Sequence, residues 1–392
     1  GFYIMRTGWK PQDKYLFFDC VPSGDFWSHW HNSAFNVDIY AYGRPLIVDS
    51  GMQSYDEPSY EDYCHRSIAH NIIEIANVEV LPVPELKYWL RSPEFCVIDA
   101  QANITIHYGH RILITRRVLF VTGDYWIVDD IVEHGPMSQR SNLPVRAYWH
   151  LNSRSVVADG KQIALAVTDK DDGSGRHYIN SGKDKNLSFY TNDKNIGNLL
   201  FIPDKQEDYK SLAIMSDTPC GGYVACYRQD LIPSKNPTRY FTSLLYPFEG
   251  DKRPDVSFKD GVVKIGKNRE GVYMRKGEKT DGDCAFVGKE DGAINRILLV
   301  AGSRISDAVQ LDVSADFMIV TRQGESLDIQ LMESPSKKVN RIELAGLQGV
   351  SKVKVNGKSC KVSETDGKLV IVGPFEKIVP NPDNPDLFWI VK

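Results

Sequence analysis

The sequence predicts an all-β protein, a large β-sandwich domain followed by a smaller β domain. Three observations carry this. Short runs rich in Val, Ile and aromatic residues recur along the whole chain, Gly and Pro turn signals separate them, and helical periodicity with caps is scarce. Closely spaced strands of this kind build sandwiches.

In order, Gly1-Phe2-Tyr3-Ile4-Met5-Arg6 already reads as a strand. No initiating Met, basic n-region or apolar h-region precedes it, so the chain is expected to be a piece of something longer. Val37-Asp38-Ile39-Tyr40-Ala41 alternates with period two, and Gly43-Arg44-Pro45 turns the chain into Leu46-Ile47-Val48. Glu57 to Ala69 holds at most one helical turn. Thr105 to Tyr108, Arg111 to Phe120 and Tyr125 to Val132 read as strands, the last two joined through Thr122-Gly123-Asp124. The polar stretch from Lys267 to Gly292 suggests a boundary, giving domains 1–280 and 281–392. Beyond it, Ile297 to Val300, Phe317 to Val320 and Leu369 to Val372 are the strands of the second domain.

Length and charge narrow the function. The 392 residues suffice for two cores, and no apolar run approaches the roughly 20 residues of a membrane span. Net charge is −4; residues 1–150 hold 12 Lys/Arg against 18 Asp/Glu, and the remainder 35 against 33. A nucleic-acid binder would carry a basic excess, so neither nucleic acid nor membrane is expected as a partner. The same balance argues against this half alone holding a densely sulfated polymer. The seven cysteines are an odd number without tight pairs; Cys220 and Cys226 are the nearest candidates for a disulfide, and the thiols otherwise suit buried apolar positions.

The chemistry concentrates in His29-Trp30-His31, Asp49-Ser50-Gly51 and His70-Asn71, all within about forty residues. His and Asp are common zinc donors. In an extended chain His29 and His31 would point to one face, and the hairpin return through Leu46-Ile47-Val48 could bring Asp49 beside His31. By spacing alone, an HxH pair in a β protein is more often two hydrogen-bonded or exposed imidazoles. Asp49 also suits a turn, and His70-Asn71 a loop closed by side-chain hydrogen bonds.

The ordered set Gly1 to Trp9, His29-Trp30-His31, Ala41 to Gly51 and Arg66-Ser67-Ile68-Ala69-His70-Asn71, with the hairpin Arg111 to Asp130, resembles the central β domain of heparinase II/III-type polysaccharide lyases. The motifs span roughly residues 1–150. Two positions depart from the usual pattern: Asn32-Ser33 follows HxH where an acidic residue is common, and Ile72 follows His-Asn where Thr is common. The resemblance implies that His31, Asp49 and His70 bind Zn2+ and that His29 faces the cleft as a catalytic residue. It also implies a partner domain, an N-terminal (α/α) toroid outside this chain that supplies a Tyr and an Asn or His. Without it the chain is expected to be inactive.

The function implied is cleavage of a uronic-acid polysaccharide by β-elimination, with a heparan sulfate- or heparin-like glycosaminoglycan as first substrate and alginate as second. Elimination needs a base for the C5 proton, an acid for the leaving oxygen and neutralisation of the uronate carboxylate. Tyr63 and Arg66 are further catalytic candidates, with packing and a surface ion pair as their bland roles. Tyr55 is similar, and Trp30 could stack on a sugar. His150 reads as a sheet-interior residue. Of Arg116-Arg117, one could meet an anionic sugar while the other points away. The setting expected is periplasmic or secreted. The alternative reading is a non-catalytic carbohydrate-binding or structural β module.

Overall fold

The computed structural model describes residues 1–22, 31–49, 51, 63–75, 82–106, 110–135, 145–153, 155–158, 161–163, 176–180, 188–204, 209–217, 223–231, 237–333, 337–378 and 388–391. The chain divides into two units, Gly1–Pro254 with Asn384–Lys392, and Asp255–Asp383. Both are built of strands, so the protein is all-β. A 3-10 turn at Ser67–Ala69 falls where one helical turn was expected.

In chain order the first strands are β1 (Phe2–Arg6), β2 (Tyr15–Asp19), β3 (Val37–Ala41), β4 (Arg44–Ile47), β5 (Ile73–Ile75), β6 (Glu85–Arg91), β7 (Phe95–Ile106), β8 (His110–Val121), β9 (Tyr125–His134) and β10 (Val145–Leu151). Among the described residues the first unit is two sheets. One runs β1-β2-β3-β4-β10 and on through Tyr223–Leu231, Tyr209–Asp217 and Arg176–Asn180, with β5 also on β10. The other contains β9-β8-β7-β6, flanked by Thr238–Glu249 on the β9 side and Phe388–Val391 on the β6 side.

Alternation makes the core. Ile112, Ile114, Val118 and Phe120 of β8 join Trp126 and Val128 of β9 and Leu16, Phe18, Val37 and Ile39 of the first sheet in one buried cluster. Phe120 and Trp126 stack at 4.7 Å between centroids. Each such side chain, fully buried, stabilises the fold by about 1.5–3 kcal/mol. The β8–β9 turn has Gly123 at φ +80°, the third residue of the turn that Asp124 N–H closes onto Val121 O, a position that favours glycine. The β3–β4 turn needs two left-handed residues, Tyr42 at φ +51° and Gly43 at φ +84°.

One detail of pairing positions the site. β4 and β5 both pair with β10, end to end: Ile47 faces Leu151, while Ile73 to Ile75 face Ala147 to Val145. Between them lies a break, opposite Tyr148, Trp149 and His150. The main chain on both rims still bonds to β10, with Val48 N–H donating to His150 O and Tyr148 N–H donating to Ile72 O, each at 3.0 Å.

The second unit forms a twelve-stranded sheet system with its own core, including Leu299, Met318, Ile329 and Ile342. The polar stretch 267–292 lies inside this unit, where Arg269–Arg275 pairs with Cys284–Glu290. Cys20, Cys64, Cys96 and Cys284 are buried, and Cys360 is partly buried. Cys220 lies outside the described residues, and with it the candidate disulfide.

Candidate functional site

The break along β10 gathers the predicted metal ligands. Asp49 leaves the end of β4 and His70 stands just ahead of β5. Nδ1 of His70 lies 2.6 Å from Oδ2 of Asp49, while Gly51 N–H donates to Oδ1 at 2.9 Å. The His70 side chain is 1% exposed and that of Asp49 31%, so the pair is reached from the Asp49 side. The Nε2 of His70 is buried with no hydrogen-bond partner among the described residues.

His31 belongs to an irregular segment before β3, so strand alternation does not set its direction. Its ring is 5.6 Å from that of His70, centroid to centroid, and 4.9 Å from that of His65. Ordinary imidazole–zinc bonds of about 2.0–2.1 Å put two liganding rings at about this separation. Asn32, the first departure from the family pattern, donates its backbone N–H to His65 O at 2.9 Å and its amide to Ser67 Oγ at 2.6 Å. Ile72, the second, is buried. His29, Trp30 and Tyr55 lie outside the described residues.

Sequence reasoning passed over His65, Asp19 and Asp38. Burial pushes the Asp38 carboxyl up to about 6, reinforced by the charge of Asp49. Burial also raises Asp19, against the pull of the Val21 N–H and the Ser33 hydroxyl. For Asp49, burial is outweighed by His70 and the Gly51 N–H, which hold its carboxyl below the usual range. Burial lowers His31, helped by His70 and His65. The available signals were local: Asp38 is the polar member of an alternating strand, and His65 precedes His70 by five residues.

Asn71 closes the break. It is fully buried. Its Nδ2 donates to Val37 O and Val48 O, both at 2.9 Å, and its Oδ1 accepts from His150 N–H at 2.6 Å. Its own N–H donates to Asn36 Oδ1 at 2.8 Å. With both Nδ2 hydrogens given to carbonyls, Oδ1 can only accept, so the His150 Nδ1 at 3.2 Å carries the proton. The His150 Nε2 then accepts from the Tyr63 hydroxyl at 3.3 Å. His150 is thus an interior, hydrogen-bonded histidine as expected. Tyr63 is buried and Arg66 exposed.

The Arg116-Arg117 reading is corrected. Neither guanidinium is available to a sugar, because both faces of β8 are buried and each Arg has an Asp across the ladder. Arg116 forks onto Asp130 at 2.6 and 2.7 Å; Arg117 pairs with Asp99 at 2.5 Å on the opposite face. A buried guanidinium without such a partner would be strongly destabilising.

A pH experiment reports on the break. Burial lowers His150 to about 4. The unfolded chain takes up this proton below about 6.5 and the folded chain does not, so its contribution to stability is full above that pH and falls as pH drops towards 4. Asp38, raised to about 6, acts in the opposite sense, its folded form binding the extra proton between about 6 and 4. Comparison with His150→Gln therefore isolates the histidine: the metal-free parent chain should lose about 3 kcal/mol relative to the variant between pH 6.5 and 4. Parallel urea-derived pH curves for the two would refute it.

Two imidazoles and a carboxylate, with the half-buried carboxylates of Asp19 and Asp38 close by, form an environment suited to a cation. Among the described residues no three His, Cys, Asp or Glu side chains already converge as a ready-made cage. The donor set nonetheless fits: the Asp49 carboxylate stands 2.6 Å from Nδ1 of His70 and the His31 ring 5.6 Å from the His70 ring, so two imidazoles and a carboxylate are gathered where an ion could take the place of the proton between Asp49 and His70.

The heparin-sulfate lyase of Pedobacter heparinus is 21% identical over 266 residues, 66% of this chain and 36% of that protein. The structure of heparan sulfate lyase HepC from Pedobacter heparinus is similar in fold, with a TM-score of 0.53 at 17% identity, covering 76% of this chain and 41% of that one. A heparinase III structure gives a TM-score of 0.50 at 15% identity, covering 75% and 40%. The chain thus spans well under half the length of these relatives. The model of the family described as heparinase II/III-like, C-terminal matches residues 1–215, more than half of the chain, which therefore belongs to that family.

Proposed function

We propose that the chain is the β-rich part of a periplasmic or secreted polysaccharide lyase. The substrate is a uronic-acid polymer, a heparan sulfate- or heparin-like glycosaminoglycan before alginate, cleaved by β-elimination. Family membership supports the reaction class. The observation that carries the site is the Asp49 carboxylate 2.6 Å from Nδ1 of His70, with the His31 ring 5.6 Å from the His70 ring.

In this reading His31, Asp49 and His70 hold a zinc ion, whose chemistry there is to supply fixed positive charge that anchors the loops around His29. His29 takes the C5 proton or engages the uronate carboxylate. The C4–O bond breaks, a C4–C5 double bond forms, and the leaving oxygen is protonated. The exposed Arg66 suits a uronate carboxylate, and Tyr63 is a proton carrier whose hydroxyl is oriented by His150. An N-terminal (α/α) toroid supplies the remaining groups.

Elemental analysis of protein purified without added metal should find about one ion per chain. Chelation should then lower the melting temperature, because binding energy at such a site is folding energy, about 3 kcal/mol at a hundredfold excess over Kd. An unchanged melting curve after verified metal loss would make the site incidental.

A further inference from the structure

Arg116 is fully buried, and its guanidinium is divided between Asp130 of β9 and the segments that lead into β3 and β5. Nε and Nη2 are spent on Asp130, across the β8–β9 ladder. Nη1 reaches the segments just ahead of β3 and β5, donating to Phe35 O at 2.8 Å and to Asn71 O. Phe35 is held at φ +74°, a conformation a bulky side chain rarely adopts, so its carbonyl direction depends on what grips it. Asn71 passes the constraint on through its amide to Val37 O and Val48 O. The three segments tied together are those that carry His31, His70 and Asp49.

We infer that Arg116, locked by Asp130, is the positioning residue that sets the spacing of the His31, Asp49 and His70 segments. The inference rests on the reading of those three as ligands, yet the spacing itself is a property of the metal-free chain. A planar fork is required, since two nitrogens must stay on Asp130 while the third bridges two carbonyls; a lysine ammonium cannot do both.

The molecule contains its own control. Arg117, the next residue of β8, is equally buried and is paired with Asp99 and the Tyr88 hydroxyl on the opposite face. Arg116→Lys and Arg117→Lys, with the milder Asp130→Asn and Asp99→Asn, therefore separate loop positioning from the general cost of disturbing a buried ion pair. Two readouts are made on each: backbone hydrogen exchange of the metal-free chain at residues 34–37, 47–49 and 70–73, and titration with cobalt(II) followed by its visible absorption. Arg116→Lys and Asp130→Asn should speed exchange in those three segments, beyond any change in global stability, and weaken cobalt binding by roughly 10- to 100-fold with an altered spectrum. The Arg117 and Asp99 variants should keep the parental exchange pattern, cobalt affinity and spectrum. Equal acceleration by both pairs, or protection preserved in the Arg116 and Asp130 variants, overturns the inference. If the unaltered chain takes up no cobalt, the ligand reading fails and exchange alone decides the role of Arg116. If Arg116→Lys does not fold, Asp130→Asn carries the comparison.

Discussion

In the full-length parent, His29→Ala should reduce formation of the unsaturated uronate product by about 10²- to 10⁴-fold, the usual cost of losing a positioned acid–base group. The product is followed as rising ultraviolet absorbance, because each elimination leaves a C4–C5 double bond conjugated to the carboxylate. Fold and metal content should stay at parental levels. His31→Ala, two residues on, should lose metal and stability together, with activity falling as a consequence. The difference follows from the assignments: His29 comes to the cleft through the family resemblance, whereas the His31 ring stands against His70 and His65. Full activity of His29→Ala on every uronic-acid polymer tested ends the catalytic assignment. If that variant also loses the metal, His29 is a ligand.

The largest effect on stability is expected from Asn71→Leu. Leucine matches the shape of the side chain but serves none of its hydrogen bonds. Val37 O and Val48 O lose their amide donor, and His150 N–H loses its acceptor, in a place water does not reach. Leaving buried polar groups unmade costs about 1–3 kcal/mol each, so a total loss of about 3–5 kcal/mol is expected after partial relaxation. Urea unfolding should show it as a lowered midpoint with an unchanged slope. A loss below about 1 kcal/mol would mean that the break is held by something else, since that is the worth of a single ordinary hydrogen bond.

The all-β class was legible because period two is a local property. Val37 to Val48 and Arg111 to Val132 announce their strands and turns within a few residues, and the structure has them there. The approach of Asp49 to His70 was legible only as order along the chain. Its cause was not, because β4 and β5 meet end to end on a strand roughly seventy to a hundred residues further on, and no local pattern encodes such pairing. Arg116-Arg117 misled for a similar reason. Adjacent strand residues point to opposite faces, which normally leaves one in solvent, but here both faces are covered and the neutralising carboxylates come from neighbouring strands. Composition alone also makes 267–292 look like a linker, whereas it is a hairpin with polar outward positions.

The strand Phe388–Val391 lies beside β6 and so completes a sheet whose other members were made before residue 250. The order in which the ribosome delivers this unit therefore differs from the order of strands in its sheet, where Phe388–Val391 stands outermost beside β6. Until the segment after the second unit emerges, the outer N–H and C=O groups of β6 form an open template for any other extended chain. The second unit is synthesised during that interval. The time taken to synthesise it thus sets how long the outer side of β6 in a nascent first unit stays unpaired, and a shortened gene ending at residue 254 would make that exposure permanent.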